Sequence, residues 1–276
     1  MNNDTNRCLF PSLIDDVLNH PSQCADNIFA SVWKGLKINR LIERVGLKKR
    51  AGVSIVDAVF LLILWKWVEV SSIAVFSRQS LETFSNAKKD VIYDLLKRED
   101  ADWRGLNISV AKEIYQQQHI SSSRVKAYVL DDSVKIRRGK KMEAVSSHFD
   151  HTRGHHVMGQ QVLTLGLVTE DLFMPLDSQI FVSQSKAQGL IREFNDKRSV
   201  VAKRYEEATT QGKPAIARSM LGRAKRQNIN ADFLLADAWF GTKPMIKTVK
   251  SLDITAILRM KKNKMKYRVT TPTGEV

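Results

Sequence analysis

Two short apolar runs in this sequence end on aspartate: YVL leads into Asp131-Asp132-Ser133, and FLLA leads into Asp237. Runs this short, rich in β-branched and aromatic residues, read as strands. If the two strands lie side by side and parallel, Asp132 and Asp237 meet across one gap at their C-terminal ends, where α/β sheets place ligands. Carboxylates that close repel each other unless a cation neutralises them. A pair of Mg²⁺ ions would do so, and two metals can activate a water or a 3′-hydroxyl while stabilising the leaving oxygen of a phosphodiester. The plainer alternative is a polar strand end at Asp131-Asp132 and a turn capped by Asp237.

The flanks of both aspartates are cationic. Lys135, Arg137, Arg138, Lys140 and Lys141 follow Asp132 around a single glycine, and the tail between Arg259 and Arg268 holds six Lys/Arg, Lys261, Lys262 and Lys264 among them, with no acid. Acids that hold metal beside cations that hold a polyanion form a coherent pair, because phosphate contacts position a nucleic acid through its backbone. Four of the six histidines fall in the stretch HFDHTRGHH at 148–156. It reads as a loop entering the next strand, with Arg153, His155 and His156 available for phosphate or base contacts. Zinc ligation and plain solvation are its alternatives. Trp239-Phe240 reads as packing beneath the site or as a stacking surface for a displaced base.

The elements that must carry these residues divide the chain in two. Up to residue 120 the apolar spacing is helical: a short helix after Pro11-Ser12, a second through Ile28–Val45 closed by Gly46, and a third capped by Ser54. Three more follow, over residues 72–84, 89–97 and 108–118. Phe60, Trp65 and Trp67 read as core aromatics. From residue 121 the pattern becomes strands at 125–130, 161–168 and 173–182, then two helices over 186–227 split at Gly212-Lys213-Pro214. A strand at 233–236, a helix at 243–252 and a strand at 254–258 complete the order β-β-β-α-β-α-β. Three antiparallel strands followed by parallel ones, joined by a long helical crossover, make a mixed α/β sheet. The expected domains are a helical 1–120, an α/β 121–260, and a hairpin-like 261–276.

Charge follows the same division. The formal net charge of +15 is split into 16 Lys/Arg against 14 Asp/Glu in residues 1–120 and 28 against 15 in residues 121–276. A field concentrated on one part of a protein suits a polyanion, nucleic acid first. Two cysteines outside any ligand spacing exclude a disulfide framework and a zinc ribbon, and fit a reducing cytosol. The longest apolar run, residues 58–65, is too short for a membrane span, and the N-terminus has no signal-peptide pattern.

Taken together, "YVLDDS", "SSHFDHTRGHHVMGQQVLTLGLV" and "FLLADAWFG…ITAILRMKKN" resemble the catalytic core of bacterial cut-and-paste insertion-sequence transposases of the DDE superfamily. The preceding "KDVIYDLLKREDADWRGLNISV" is similar to that family's N-terminal region, so the resemblance runs over roughly residues 28–268. It implies an RNase H-like core behind a helical DNA-binding domain, Mg²⁺ or Mn²⁺ as cofactor, terminal inverted repeats and target DNA as partners, a homodimer as the working assembly, and a bacterial cytoplasmic location at the nucleoid. It puts the first catalytic and metal-holding Asp on Asp132, which is followed by serine as in the family's Asp-Ser/Thr, and the second on Asp237. The family's third residue, a Glu on a helix with a Tyr-Arg-Glu-Lys type pattern, has no counterpart here. The expectation is therefore an N-terminal part of a longer transposase. Its alternatives are a non-catalytic DNA-binding derivative or another RNase H-fold nuclease.

Overall fold

The structure is a computed structural model and describes residues 30–48, 51–68, 72–123, 125–138, 142–150, 153–187, 193–260, 270–271 and 274–275. The helix expected after Pro11-Ser12 and the basic positions Lys140, Lys141, Lys261, Lys262 and Lys264 lie outside these residues. Among the described residues no helix is long and apolar enough to cross a membrane.

Two units are distinguished: one takes the chain up to His119 with Ala187–Thr210, the other Ile120–Lys186 with the chain from Gln211. The helical unit begins with α1 (Ala30–Gly35) and α2 (Ile38–Arg44), where one helix was expected. The break is at Lys37, whose φ of 53° is left-handed and cannot continue a right-handed helix. Gly46 closes the pair at φ 78°, a conformation glycine adopts without penalty. In α3 (Ile55–Val68), Ser54 receives the Asp57 amide at 3.1 Å and donates to the Asp57 carboxylate at 2.7 Å, a reciprocal N-terminal cap. Then come α4 (Ile73–Gln79), α5 (Leu81–Phe84), α6 (Asp90–Lys97) and α7 (Trp103–Gln117). The last starts five residues before its apolar periodicity at 108, because Asp102 caps it by accepting the Gly105 amide at 2.8 Å.

Leu41, Ile42, Val59, Leu95 and Leu106 join α2, α3, α6 and α7 in one core, and Leu61, Ile73, Phe76 and Ile92 form a second. Each fully buried side chain of this size contributes about 1.5–3 kcal/mol relative to exposure. Trp67 departs from the expected core position and is 41% exposed. The later segment joins this unit through α9 (Val200–Thr210), α8 being Gln184–Ala187. Glu207 pairs with Arg104 at 2.8 Å, and Glu99 accepts the amides of Asn195 and Asp196 at 3.2 and 3.1 Å.

The second unit is built on β1 (Ala127–Ile136), β2 (Ser146–Asp150), β3 (His155–Val168), β4 (Phe173–Phe181), β5 (Phe233–Ala236) and β6 (Thr255–Leu258), with α10 (Lys213–Arg226) and α11 (Lys243–Ser251). The sheet order is β2-β3-β1-β5-β6, with β4 also on β3. β1 is antiparallel to β3, and β3 to β2 and β4, whereas β1–β5 and β5–β6 are parallel. This is an RNase H-like mixed sheet. Thr270–Thr271 and Gly274–Glu275 pair as a separate antiparallel ladder.

Two strand expectations need correction. The first strand does not end at Asp131-Asp132 but stays paired with β3 as far as Ile136 opposite Gly159. Residues 148–150 and 155–156 do not belong to an entry loop: they form a hairpin in which β2 pairs with an N-terminal extension of β3. Gly154, at φ 69°, makes that turn. Polar and charged residues hid both extensions, since a strand end solvated on one face lacks the apolar alternation by which strands are recognised.

Candidate functional site

Side chains alternate between faces along a strand, so neighbours in sequence point opposite ways. On β1, Tyr128 and Leu130, both fully buried, share one face by alternation, and α10, whose Ile216, Met220 and Leu221 are fully buried, packs on the same sheet at β3 and β4. Asp132 continues that face. Its carboxylate is paired with Lys213, the first residue of α10, and also accepts Gln161 Nε2 at 3.2 Å. Lys213 is 5% exposed and its ammonium lies 4.5 Å from the Trp239 ring and 5.3 Å from the Phe181 ring. One buried cation thus ties β1, β4 and the loop after β5 together.

Asp131 turns to the other face, and register decides its neighbour. The parallel β1–β5 ladder ends at Leu130 opposite Ala236, so Asp131 and Asp237 are each the first residue beyond the last paired position. Asp131 is exposed, yet its carboxyl is held above the usual aspartate range. Partial desolvation is the main cause, the Asp132 and Asp237 charges add to it, and the Asp132 amide and Lys213 oppose it. The Asp237 carboxylate accepts the Trp239 amide at 3.0 Å, and the Asp237 carbonyl accepts the Phe240 amide at 3.2 Å, which makes a tight turn directly after β5. Phe240 is buried beneath that turn, while Trp239 is 37% exposed and packs edge-on to it at 5.2 Å.

The turn is pressed against the end of β6. A Cβ on Gly241 would stand 2.4 Å from the Arg259 carbonyl oxygen, so no larger residue fits without moving the backbone. Gly241→Ala is expected to destabilise the protein by about 1–3 kcal/mol, read as a lower urea midpoint. An unchanged midpoint would mean that the turn is not held where the carboxylate needs it.

The remaining sequence-derived positions are spread out. Lys135 lies on β1, exposed, and shares a face with Asp131 by alternation. Arg137 donates to Gln160 at 3.0 Å, and Arg138 is exposed beyond the strand. Arg153 pairs with Asp150 at 3.5 Å. The imidazoles have separate partners: His148 with Ser146 at 2.8 Å, His155 with the Arg153 carbonyl at 3.0 Å, and His156 with Ser147 at 3.3 Å. Desolvation, then the Lys186 charge, holds His148 below the ordinary histidine range. Sequence reasoning gave Asp131 only as part of a polar strand end and did not single out Lys213; alternation along a longer β1 puts Asp131 and Asp132 on opposite faces.

Among the described residues no group of three or more His, Cys, Asp or Glu is placed to hold a metal. Two aspartate carboxylates fit part of the octahedral oxygen shell of Mg²⁺, which keeps several waters and binds through one or two carboxylates. A family profile described as "DDE superfamily endonuclease" matches residues 76–274, well over half of the chain. The chain belongs to that family.

DDE superfamily nucleases are generally divalent-metal dependent. This DDE superfamily chain is similar to two solved transposases. The Drosophila P element transposase, in a strand transfer complex, is 10% identical over 78% of this chain and 39% of that one, with a TM-score of 0.36. The piggyBac transposase, in a synaptic complex with hairpin DNA, is 12% identical over 88% of this chain and 53% of that one, with a TM-score of 0.41. The chain thus corresponds to 39% and 53% of the lengths of these two proteins. No curated protein matches the sequence.

Proposed function

We propose that this chain carries the first two carboxylates of a DNA transposase, and that these are Asp131 and Asp237. The reaction is hydrolysis of a phosphodiester at the end of a mobile element, followed by attack of the freed 3′-hydroxyl on target DNA. The observation that supports it best is the register of β1 and β5, whose parallel ladder ends at Leu130 opposite Ala236, one residue before Asp131 and Asp237, in a DDE superfamily endonuclease.

Asp131 and Asp237 would hold Mg²⁺ or Mn²⁺, whose charge favours the attacking oxygen and steadies the leaving one. The Trp239 amide fixes one oxygen of Asp237, so that carboxylate is oriented before any ligand arrives. Lys213 and Gln161 occupy Asp132, which keeps its charge in the protein's own network. Lys135 and Arg138 lie next along the chain and supply cations for the scissile strand's phosphates. Joining two element ends would bring in a second copy of the protein and the helical unit as a DNA-binding module.

A second reading keeps DNA binding without catalysis. It is favoured by the lack of a third metal-holding side chain among the described residues. Both readings are tested with a labelled duplex bearing the element's ends, Mn²⁺, and an Asp131→Asn/Asp237→Asn variant. Metal-dependent cutting by the wild type alone supports the transposase. Binding by both proteins with no cutting supports the second reading, and no binding by either sinks both.

A further inference from the structure

The helices α10 and α11 carry eight cations, Lys213, Arg218, Arg223, Lys225, Arg226, Lys243, Lys247 and Lys250, and no carboxylate. Three of the eight are taken up inside the fold: Lys213 by Asp132, Arg223 by Asp177 at 2.6 Å, and Lys225 by the Leu252 carbonyl. Between the two helices runs an open groove lined by Arg218, Lys243, Pro244, Lys247, Thr248 and Ser251. Its polar lining is three cations and two hydroxyls, with no acid to neutralise them.

We propose that this groove is a phosphate-backbone track for duplex DNA, with Arg218, Lys243 and Lys247 as its contacts. The proposal rests on the DNA-acting reading above and adds a surface that neither basic segment singled out in the sequence includes. Three like charges around one groove repel each other, and a polyanion relieves that repulsion. Arg218 is pre-oriented, because its Nε donates to the buried Thr248 hydroxyl at 3.2 Å. Lys243 and Lys247 are one turn apart on the same side of α11, about 5–6 Å between Cβ atoms, so two flexible ammonium groups can reach neighbouring phosphates of one strand. Lys243 also opens α11 just beyond the loop that carries Asp237, where the helix dipole adds positive potential. Contacts of this kind hold and align a duplex without reading its sequence.

The test is fluorescence anisotropy of a short labelled duplex of unrelated sequence over a salt series. It compares wild type with Lys243→Gln/Lys247→Gln and with Arg226→Gln/Lys250→Gln, an equal charge change on the same helices outside the groove. All four residues are exposed, so both variants are expected to fold, and equal thermal midpoints will show it. The slope of log K against log salt should become shallower by about 2 for the groove variant, stay at the wild-type value for the control, and return in Lys243→Arg/Lys247→Arg. Equal shallowing in groove and control variants overturns the proposal, since total charge alone would then explain binding. A steep wild-type slope left intact by the groove variant sinks the groove and spares the transposase reading. A wild type that binds no duplex sinks both.

Discussion

Replacing Asp131 with asparagine is expected to weaken Mn²⁺ binding by more than about 100-fold, beyond the range seen when only a ligand's supporting partner is lost. Asp237→Asn should do the same, and Asp132→Asn should leave affinity within a few-fold of wild type. The contrast follows from strand geometry. Asp131 and Asp237 each follow directly on the paired residues Leu130 and Ala236, while Asp132 points to the opposite face of β1 from Asp131 and is held by Lys213 and Gln161. Titration followed by the electron spin resonance of free Mn²⁺ reads this directly and needs no catalysis. The same titration carries a pH signature. Desolvation holds the Asp131 carboxyl above the usual range, so its proton competes with metal at a higher pH than an ordinary aspartate's would. Affinity should therefore fall as pH is lowered, and should begin to fall above the normal carboxylate range. Loss of binding in Asp132→Asn with retention in Asp131→Asn would reverse the assignment and restore Asp132 as the ligand.

The second large effect concerns Lys213. Its side chain is 6% exposed and that of its partner Asp132 is 23% exposed, so removing the ammonium leaves a carboxylate that water reaches poorly. Lys213→Met is expected to destabilise folding by about 3 kcal/mol, the low end for breaking a buried pair, because Gln161 still donates to Asp132. Some of that loss is the contact of the cation with Trp239 and Phe181. A double-mutant cycle separates the contributions. Adding Asp132→Asn to Lys213→Met removes the stranded charge and should recover most of the stability in a urea titration. If the double variant is no more stable than Lys213→Met, the ion pair is not what Lys213 contributes, and packing of its methylene stem against the rings is the better account.

The alternation of helix and strand was legible along the chain because each element follows a local rule. Gly212-Lys213-Pro214 starts α10 where a fixed proline φ suits a first turn, and Ser54 caps α3 through a hydroxyl that reaches an amide three residues on. The parallel pairing of β1 with β5 was also legible, since a long helical crossover permits it and its handedness is constrained. Local rules failed where a residue's conformation answers to distant partners. Lys37 breaks a helix that the apolar spacing runs straight through. β2 and the far half of β1 are solvated on one face and are recognised only by the ladder to β3.

The site shows the same division. Residue types alone placed acids at two strand ends, basic segments beside them and an excess of positive charge on the sheet-bearing half, because charge and β propensity belong to residues wherever they sit. Which of two adjacent aspartates faces Asp237 is not a property of either residue. A shift of one position moves a side chain to the opposite face, and that position is set by hydrogen bonds between β1 and β5, more than a hundred residues apart in the chain. Lys213 likewise reads in sequence as one helix-start cation among many. Only packing of α10 on the sheet buries it against Asp132, Trp239 and Phe181, and desolvation then turns an ordinary lysine into the tie between three elements.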